Sequence, residues 1–361
     1  MRRGQLVMAT AAAVLLLIAG CGSGGTTGSQ GPGKAGAKIA LFLPESKTTR
    51  YEAFDRPLFE AKVAQLCQDC SVLYYNADQD PAKQQGQVES ALTQGATVLV
   101  LDAVDAQAVA PLVHQAAQKK IPVIAYDRLI SGIGYDYYVS FDNVKVGQVQ
   151  GQALLDEMTR RGTVDKGQVV MINGAPTDPS AADYKKGAHL ALDGKVRVGR
   201  EFDTPDWSPD KAQQEMEQSV TSLGRDSITG VYSANDGMAD GAVAALKRAG
   251  YATLPPVTGQ DAELTAVQRI LGGDQTMTVY LNIRSQAEQA AQLAVALGKG
   301  EHPQAPTKVD NGTAPIPAFL LDPIVVTSAN IKDTIVKDGF YTADQICTPD
   351  VAQACAKAGL R

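Results

Sequence analysis

Polar side chains of one chemical kind recur where apolar runs end. Arg50 with Tyr51, Asp127 with Arg128, Asp142 with Asn143, Asp178, Asn235 with Asp236, and Asp261 all fall near the predicted tips of strands. Carboxylates and amides backed by arginine forks suit an uncharged polyhydroxylated ligand, because each hydroxyl needs both an acceptor and a donor. Tyr51 and the single tryptophan, Trp207, add flat apolar faces of the kind that pack on the C–H face of a sugar ring. Taken singly, Asp and Asn serve equally well as helix caps and turn residues. Asp142 and Asp236 fit that role better than direct ligand contact.

Two carboxylates across a cleft also describe a glycoside-cleaving enzyme. Each candidate acid here has an Arg, an Asn or a backbone-rich neighbour expected to keep it ionised, and none sits inside an apolar run that would raise its pKa. Nucleophile-elbow, phosphate-loop and metal-ligand spacings are missing from the sequence, and His114, His189 and His302 are dispersed. The expectation is binding without catalysis, cofactor or metal.

These residues need a scaffold that aligns strand tips. From Lys38 onward short apolar runs alternate with amphipathic stretches. Strands are predicted at 39–43, 72–75, 98–101, 123–125 and 138–141, with helices near 51–65, 82–93 and 106–119. A second series follows, with strands at 168–172, 196–202, 230–233, 256–259 and 277–279 and helices near 181–192, 210–223 and 237–249. Continuous rather than alternating apolar strands argue for parallel sheets covered on both faces. The duplication is plain in one unit. Val98–Leu101 leads through a helix to Val123–Asp127, and Gly230–Asp236 leads through a helix to Pro256–Asp261. Ligands bind at the C-terminal tips of such strands, so two sheets set tip to tip form a cleft lined from both sides.

The composition agrees. The 361 residues carry 33 basic and 39 acidic side chains and are 44% apolar, which excludes a disordered chain. A net charge of −6 without a basic block makes a nucleic-acid partner unsuitable.

Arg2 and Arg3 precede the apolar run 6–19, which is short for a membrane span and right for a signal peptide. Ile18-Ala19-Gly20-Cys21 resembles the lipobox of bacterial lipoproteins, and a Gly/Ser-rich stretch follows it. Residues 1–20 are therefore expected to be a cleaved signal, Cys21 the lipidation site, and 21–37 a flexible tether. The body is expected outside the cell, held to the outer face of the cytoplasmic membrane by lipid alone. In that oxidising setting Cys67, Cys70, Cys347 and Cys355 are most simply two local disulfides, Cys67–Cys70 and Cys347–Cys355. Cys67-Gln68-Asp69-Cys70 also has redox and zinc spacing. It lies after a helical stretch and before a strand, where a structural clip is favoured over a reactive thiolate.

A family resemblance rests on several segments in order. They are Val123-Ile124-Ala125-Tyr126-Asp127-Arg128, Ser140-Phe141-Asp142-Asn143 with Lys145-Val146-Gly147, Asn235-Asp236, Gly259-Gln260-Asp261-Ala262, Gln275-Thr276-Met277-Thr278-Val279-Tyr280, and Ile331-Lys332-Asp333-Thr334. Together they resemble the xylose-binding proteins, type I solute-binding proteins of ABC sugar importers, from about Lys38 to Tyr341. The resemblance implies an α/β fold of two doubly wound parallel-sheet lobes joined by a three-crossing hinge. The first lobe is expected at 38–143 plus 283–312 and the second at 144–282 plus 313–361, with crossings near 143–146, 280–283 and 313–317.

It also implies sugar contacts from Arg50, Tyr51, Asp127, Arg128, Asp178, Trp207, Asn235 and Asp261. Two positions depart from the family pattern. Ser180 replaces an asparagine, and Leu281 replaces a lysine whose donor role Asn282 or a water is expected to fill. The implied protein is a monomer that takes a monosaccharide, D-xylose or a related aldose, to an ABC permease. A sensory binding protein signalling to a membrane receptor is the alternative. A sugar-responsive transcription regulator shares the fold family but carries a DNA-binding helix pair where this chain has a signal.

Overall fold

The computed structural model describes residues 36–361. The expected signal peptide, Cys21 and all but the last two residues of the tether lie outside the described residues.

The first series forms β1 (Lys38–Leu43), α1 (Arg56–Leu66), β2 (Ser71–Asn76), α2 (Pro81–Thr93), β3 (Val98–Leu101), α3 (Ala110–Gln118), β4 (Val123–Tyr126) and β5 (Tyr137–Phe141). All five strands are mutually parallel. Alternate residues feed two cores. Ile39, Leu41, Leu43, Val98, Val100 and Ile124 face one layer, and Ala40, Phe42, Leu99, Leu101 and Ala125 face the other. Burial on both faces is why these strands read as unbroken apolar runs.

The second series follows α4 (Asn143–Arg161). It comprises β6 (Gln168–Asn173), α5 (Pro179–Leu192), β7 (Val198–Asp203), α6 (Pro209–Leu223), β8 (Ile228–Ser233), α7 (Asp236–Arg248), α8 (Leu264–Gly272) and β9 (Thr278–Tyr280). β6 lies between β7 and β8, both parallel to it. The strand expected at 256–259 contributes only isolated bridges, Val231 to Val257 and Gln260 to Val279. Pro255 and Pro256 remove two N–H donors just where a longer ladder would begin. α4 and α5 pack so closely that a Cβ on Gly147 would overlap the Tyr184 carbonyl, and one on Gly187 the Val144 carbonyl.

The chain then returns to the first sheet. Ala287, Ala290, Ala291 and Ala294 of α9 (Ile283–Lys299) complete the first core, and β10 (Thr307–Asp310) and β11 (Pro315–Leu321) extend the sheet to seven strands in the order β10-β11-β5-β4-β3-β1-β2. β11 runs parallel to β5, and only β10 is antiparallel to its neighbour.

This displaces the third expected crossing. Residues 313–321 belong with the first lobe rather than the second, because Ile316 and Ala318 of β11 fill the edge of that lobe's other core, with Ala40 and Phe42. The crossing falls at Asp322–Pro323, before β12 (Ile324–Val326) pairs antiparallel with β9. Beyond it, α10 (Ala343–Ile346) and α11 (Ala352–Lys357) pack on α8 through Ile346, Cys355 and Leu360. The disulfides are Cys67–Cys70 and Cys347–Cys355. The first leaves its Cys-x-x-Cys motif no thiolate for zinc. Among the described residues no helix is long and apolar enough to cross a membrane.

A candidate ligand-binding cleft

The strand tips of the two sheets converge on a small cavity, open to solvent at its mouth. All nine positions expected in the site line it: Arg50, Tyr51, Asp127, Arg128, Asp178, Ser180, Trp207, Asn235 and Asp261. Four more residues join them, Glu45, Thr48, Tyr184 and Gln260. Glu45 follows the tip of β1 and obeys the same strand-end rule. Gln260 adjoins Asp261, and Tyr184 stands one helical turn after Ser180, a spacing that puts both on one face of α5.

Arg50 precedes a single π-type turn, Tyr51–Asp55. That turn folds Asp55 back onto its guanidinium, with Nε and Nη2 donating to the two carboxylate oxygens at 3.0 and 2.9 Å. Nη2 also donates to Gln286 Oε1 at 2.7 Å and Nη1 to Asp127 Oδ1 at 3.1 Å. Burial works against the charge, but Asp127 and Asp55 outweigh it and hold Arg50 firmly protonated. Asp127 sits at φ 62°, a left-handed conformation that costs backbone energy and aims its carboxylate away from the strand. Its Oδ1 accepts from Arg50 and from Gln286 Nε2, which leaves Oδ2 toward the cavity.

Arg128 spans the two lobes. Its Nε lies 2.9 Å from Asp178 Oδ2, and its Nη1 donates to the Ala103 carbonyl at 3.0 Å. Asp178 caps α5 through Ser180 N, just ahead of Pro179 at the first helical position. Its Oδ2 also accepts from Trp207 Nε1 at 3.2 Å. The tryptophan is held on its other side by Gly174, where any Cβ would overlap the indole ring. Asp206 and Trp207 have φ of 61° and 53°, so the stacking platform stands on a strained turn.

On the second lobe Asn235 caps α7 by accepting from Met238 N at 2.9 Å, which leaves its amide donor to the cavity. Asp261 has φ 98°, and its Oδ1 accepts from Gln260 Nε2 at 2.6 Å. Burial pushes its carboxyl up to about 8, against the pull of Arg50. Burial likewise lifts Asp236 and Glu263 to about 7. The expectation that every acid here stays ionised is therefore corrected: Asp261 has no cation bonded to it, and desolvation prevails.

Asp142 and Asp236 are orienting groups. Asp142 caps α4, and Asp236 accepts from Gln275 Nε2, Thr278 Oγ1 and Glu263 N. Leu281 is buried in apolar surroundings, and Asn282 caps α9 through Ser285 N. Neither lines the cavity, so Asn282 does not replace the missing donor; Gln260 is the added amide within reach of the cavity.

Contacts between the lobes surround this site. Lys47 Nζ and Gln79 Nε2 donate to the Asp206 carbonyl at 3.4 and 3.3 Å. Ala106 N donates to the Thr177 carbonyl at 3.4 Å, and Phe54 stacks on Phe340 with ring centroids 4.1 Å apart. The lobes are closed on one another.

Residues 39–302 match the periplasmic binding protein domain. The chain belongs to the periplasmic binding proteins. It is 35% identical to a D-xylose-binding periplasmic protein of Haemophilus influenzae over 86% of this chain and 92% of that one. A multiple sugar-binding periplasmic receptor of Rhizobium radiobacter is 33% identical over 74% of this chain and 81% of that one. Among solved structures, an ABC transporter solute-binding protein from Clostridium phytofermentans with bound β-D-glucose superposes with a TM-score of 0.79 at 28% identity. That alignment covers 85% of this chain and 99% of the other. A periplasmic binding protein holds its ligand without transforming it, which removes the glycosidase reading of the paired acids.

Proposed function

We propose that this periplasmic binding protein captures a neutral monosaccharide between its lobes, an aldopentose such as D-xylose first, and delivers it to an ABC import permease. One observation carries the reading: the hydrogen-bonding capacity left over in the cleft. Asp127 Oδ2, Asp261 Oδ2 and Gln260 Oε1 accept from no described residue, while the Asn235 amide and the outer N–H groups of Arg128 retain donors. Acceptors and donors on both walls, beside the flat face of Trp207, are what vicinal hydroxyls on a pyranose ring require. Because each lobe supplies part of the set, a bound sugar is fully satisfied only when the lobes are closed, so binding is coupled to hinged closure.

The named relatives support xylose as the first candidate, and the Leu281 departure makes related aldoses the next to test. Isothermal calorimetry against xylose, arabinose, glucose, galactose and ribose is the deciding measurement. Micromolar or tighter binding of one of them without chemical turnover is expected, and silence with all five overturns the reading. We further propose that Cys21 carries the lipid anchor that keeps the protein beside its permease. The Cys21→Ser variant is then expected in the culture medium rather than in the membrane fraction.

A further inference from the structure

Asp102 follows β3 at the end of Val98-Leu99-Val100-Leu101, in the first lobe. Its side chain is fully buried, and neither carboxylate oxygen has a hydrogen-bond partner among the described residues. Such a group destabilises whatever state contains it, since desolvation of a carboxylate is uncompensated without donors. The one cation close to it is Arg128, whose Nε stands 3.5 Å from Asp102 Oδ1 and 2.9 Å from Asp178 Oδ2.

The two acids differ in where they belong. Asp102 and Arg128 sit on adjacent strand tips of one lobe and stay together however the hinge moves. Asp178 is on the opposite lobe and leaves when the cleft opens. Arg128 itself is buried, and a buried guanidinium that loses the nearer of its two ion-pair partners is strongly destabilising. In the closed form Nε stands between the two acids, nearer Asp178 and hydrogen-bonded to neither, while Asp102 has the like charges Asp127 and Asp178 for neighbours. Burial and these two like charges raise the Asp102 carboxyl, with Arg128 and Arg50 opposing.

We infer that Asp102 is the partner Arg128 takes when the lobes part, so that one guanidinium exchanges Asp178 for Asp102 and Asp102 sets how tightly the cleft holds its ligand. Asp102 is on this account a positioning residue that stabilises the open form. Removing it favours closure, the opposite of what loss of a structural or ligand-contacting acid does. A binding-competent state that is more populated before ligand arrives gives tighter apparent binding. The affinity part of the inference rests on the sugar reading of the cleft; the exchange itself does not.

The test places spin labels at Ser90→Cys and Gln218→Cys, exposed positions on opposite lobes, and measures the interlobe distance distribution of the ligand-free protein. Asp102→Asn and Asp102→Leu are each expected to shift that distribution toward the closed distance. Both are expected to tighten binding of whichever sugar the calorimetry identifies by at least about fivefold, whereas Asp178→Asn opens the distribution and weakens binding. Thermal denaturation reports whether each variant is folded, and the leucine, which continues the apolar strand, guards against an amide that folds poorly. An unchanged distance distribution in both folded Asp102 variants, or weaker sugar binding in them, overturns the inference. If wild-type protein binds no sugar, the proposed function fails, while the distance measurement still decides the exchange.

Discussion

Asp127 and Asp261 occupy the same place in the two halves of the chain. Each ends a strand unit with a left-handed backbone, at φ 62° and 98°. Each donates its N–H to a valine carbonyl of the next strand, Asp127 to Val139 at 2.9 Å and Asp261 to Val279 at 3.0 Å. The backbone equivalence does not extend to the charges. Asp127 is bonded to Arg50, whereas Asp261 is bonded only to the neutral amide of Gln260.

That asymmetry predicts opposite costs for one substitution. Asp127→Asn leaves the buried Arg50 with Asp55 as its only carboxylate, and a loss of about 3 kcal/mol in unfolding free energy is expected. Asp261→Asn removes a buried carboxylate that has no counter-ion, so stability at pH 8 is expected to stay level or rise. Urea denaturation of the two variants side by side measures the difference. Equal destabilisation by both would contradict the assigned charge environments.

The same acid sets a pH dependence. Asp261 has an ordinary value near 3.8 and is pushed up to about 8 in the fold. Between those limits the folded chain holds a proton that the unfolded chain releases, so stability falls as pH rises through the window and levels off above it. Asp236 and Glu263, lifted to about 7, add the same sign over the lower part of that range. Asp261→Asn is therefore expected to flatten, without abolishing, the decline in unfolding free energy between about pH 5 and 8. A slope identical to wild type would place the titration elsewhere.

The strand-end rule made much of the site legible because parallel sheets covered by helices expose little except their tips. Asp127, Arg128, Asp178, Asn235 and Asp261 follow from that rule, Trp207 stands out as the single tryptophan, and the family resemblance adds their roles as sugar contacts. Tyr184 escaped both, since on a helix its ring reads as core, and it is indeed mostly buried. The third crossing was misplaced for a local reason. Pro315 and Pro317 make the start of β11 look like a loop, yet both face β10, beyond the stretch 318–321 that pairs with β5. The raised carboxyl of Asp261 was also hidden, because neighbours in sequence do not reveal that no cation reaches it in space.

The C-terminal clip offers a test that separates stability from binding. Cys347 and Cys355 close a short loop that presses Cys355 and Leu360 against α8, on the second lobe and outside the cavity lining. A loop of this length is worth about 2–3 kcal/mol by the chain-entropy estimate. Replacing both cysteines with serine is expected to lower the melting temperature by several degrees while sugar affinity stays within about twofold. An affinity loss as large as that of a site variant would mean that the tail communicates with the cleft.

Trp207 is bound on one face by Gly174 and fixed at its N–H by Asp178, with Tyr184 edge-on at 6.2 Å. The ring also packs against apolar residues of the second lobe, and two substitutions probe it in different ways. Trp207→Ala removes the platform, and a loss of about 1–3 kcal/mol in sugar binding is expected, about fivefold or more in Kd. Gly174→Ala keeps the indole but forces it off its seat, because the new Cβ would overlap the ring. It is expected to weaken sugar binding in the same direction, with Trp207 fluorescence shifted in the ligand-free protein. Unchanged affinity in Trp207→Ala would mean that the sugar packs on another face, and Tyr51 would be the next ring to test.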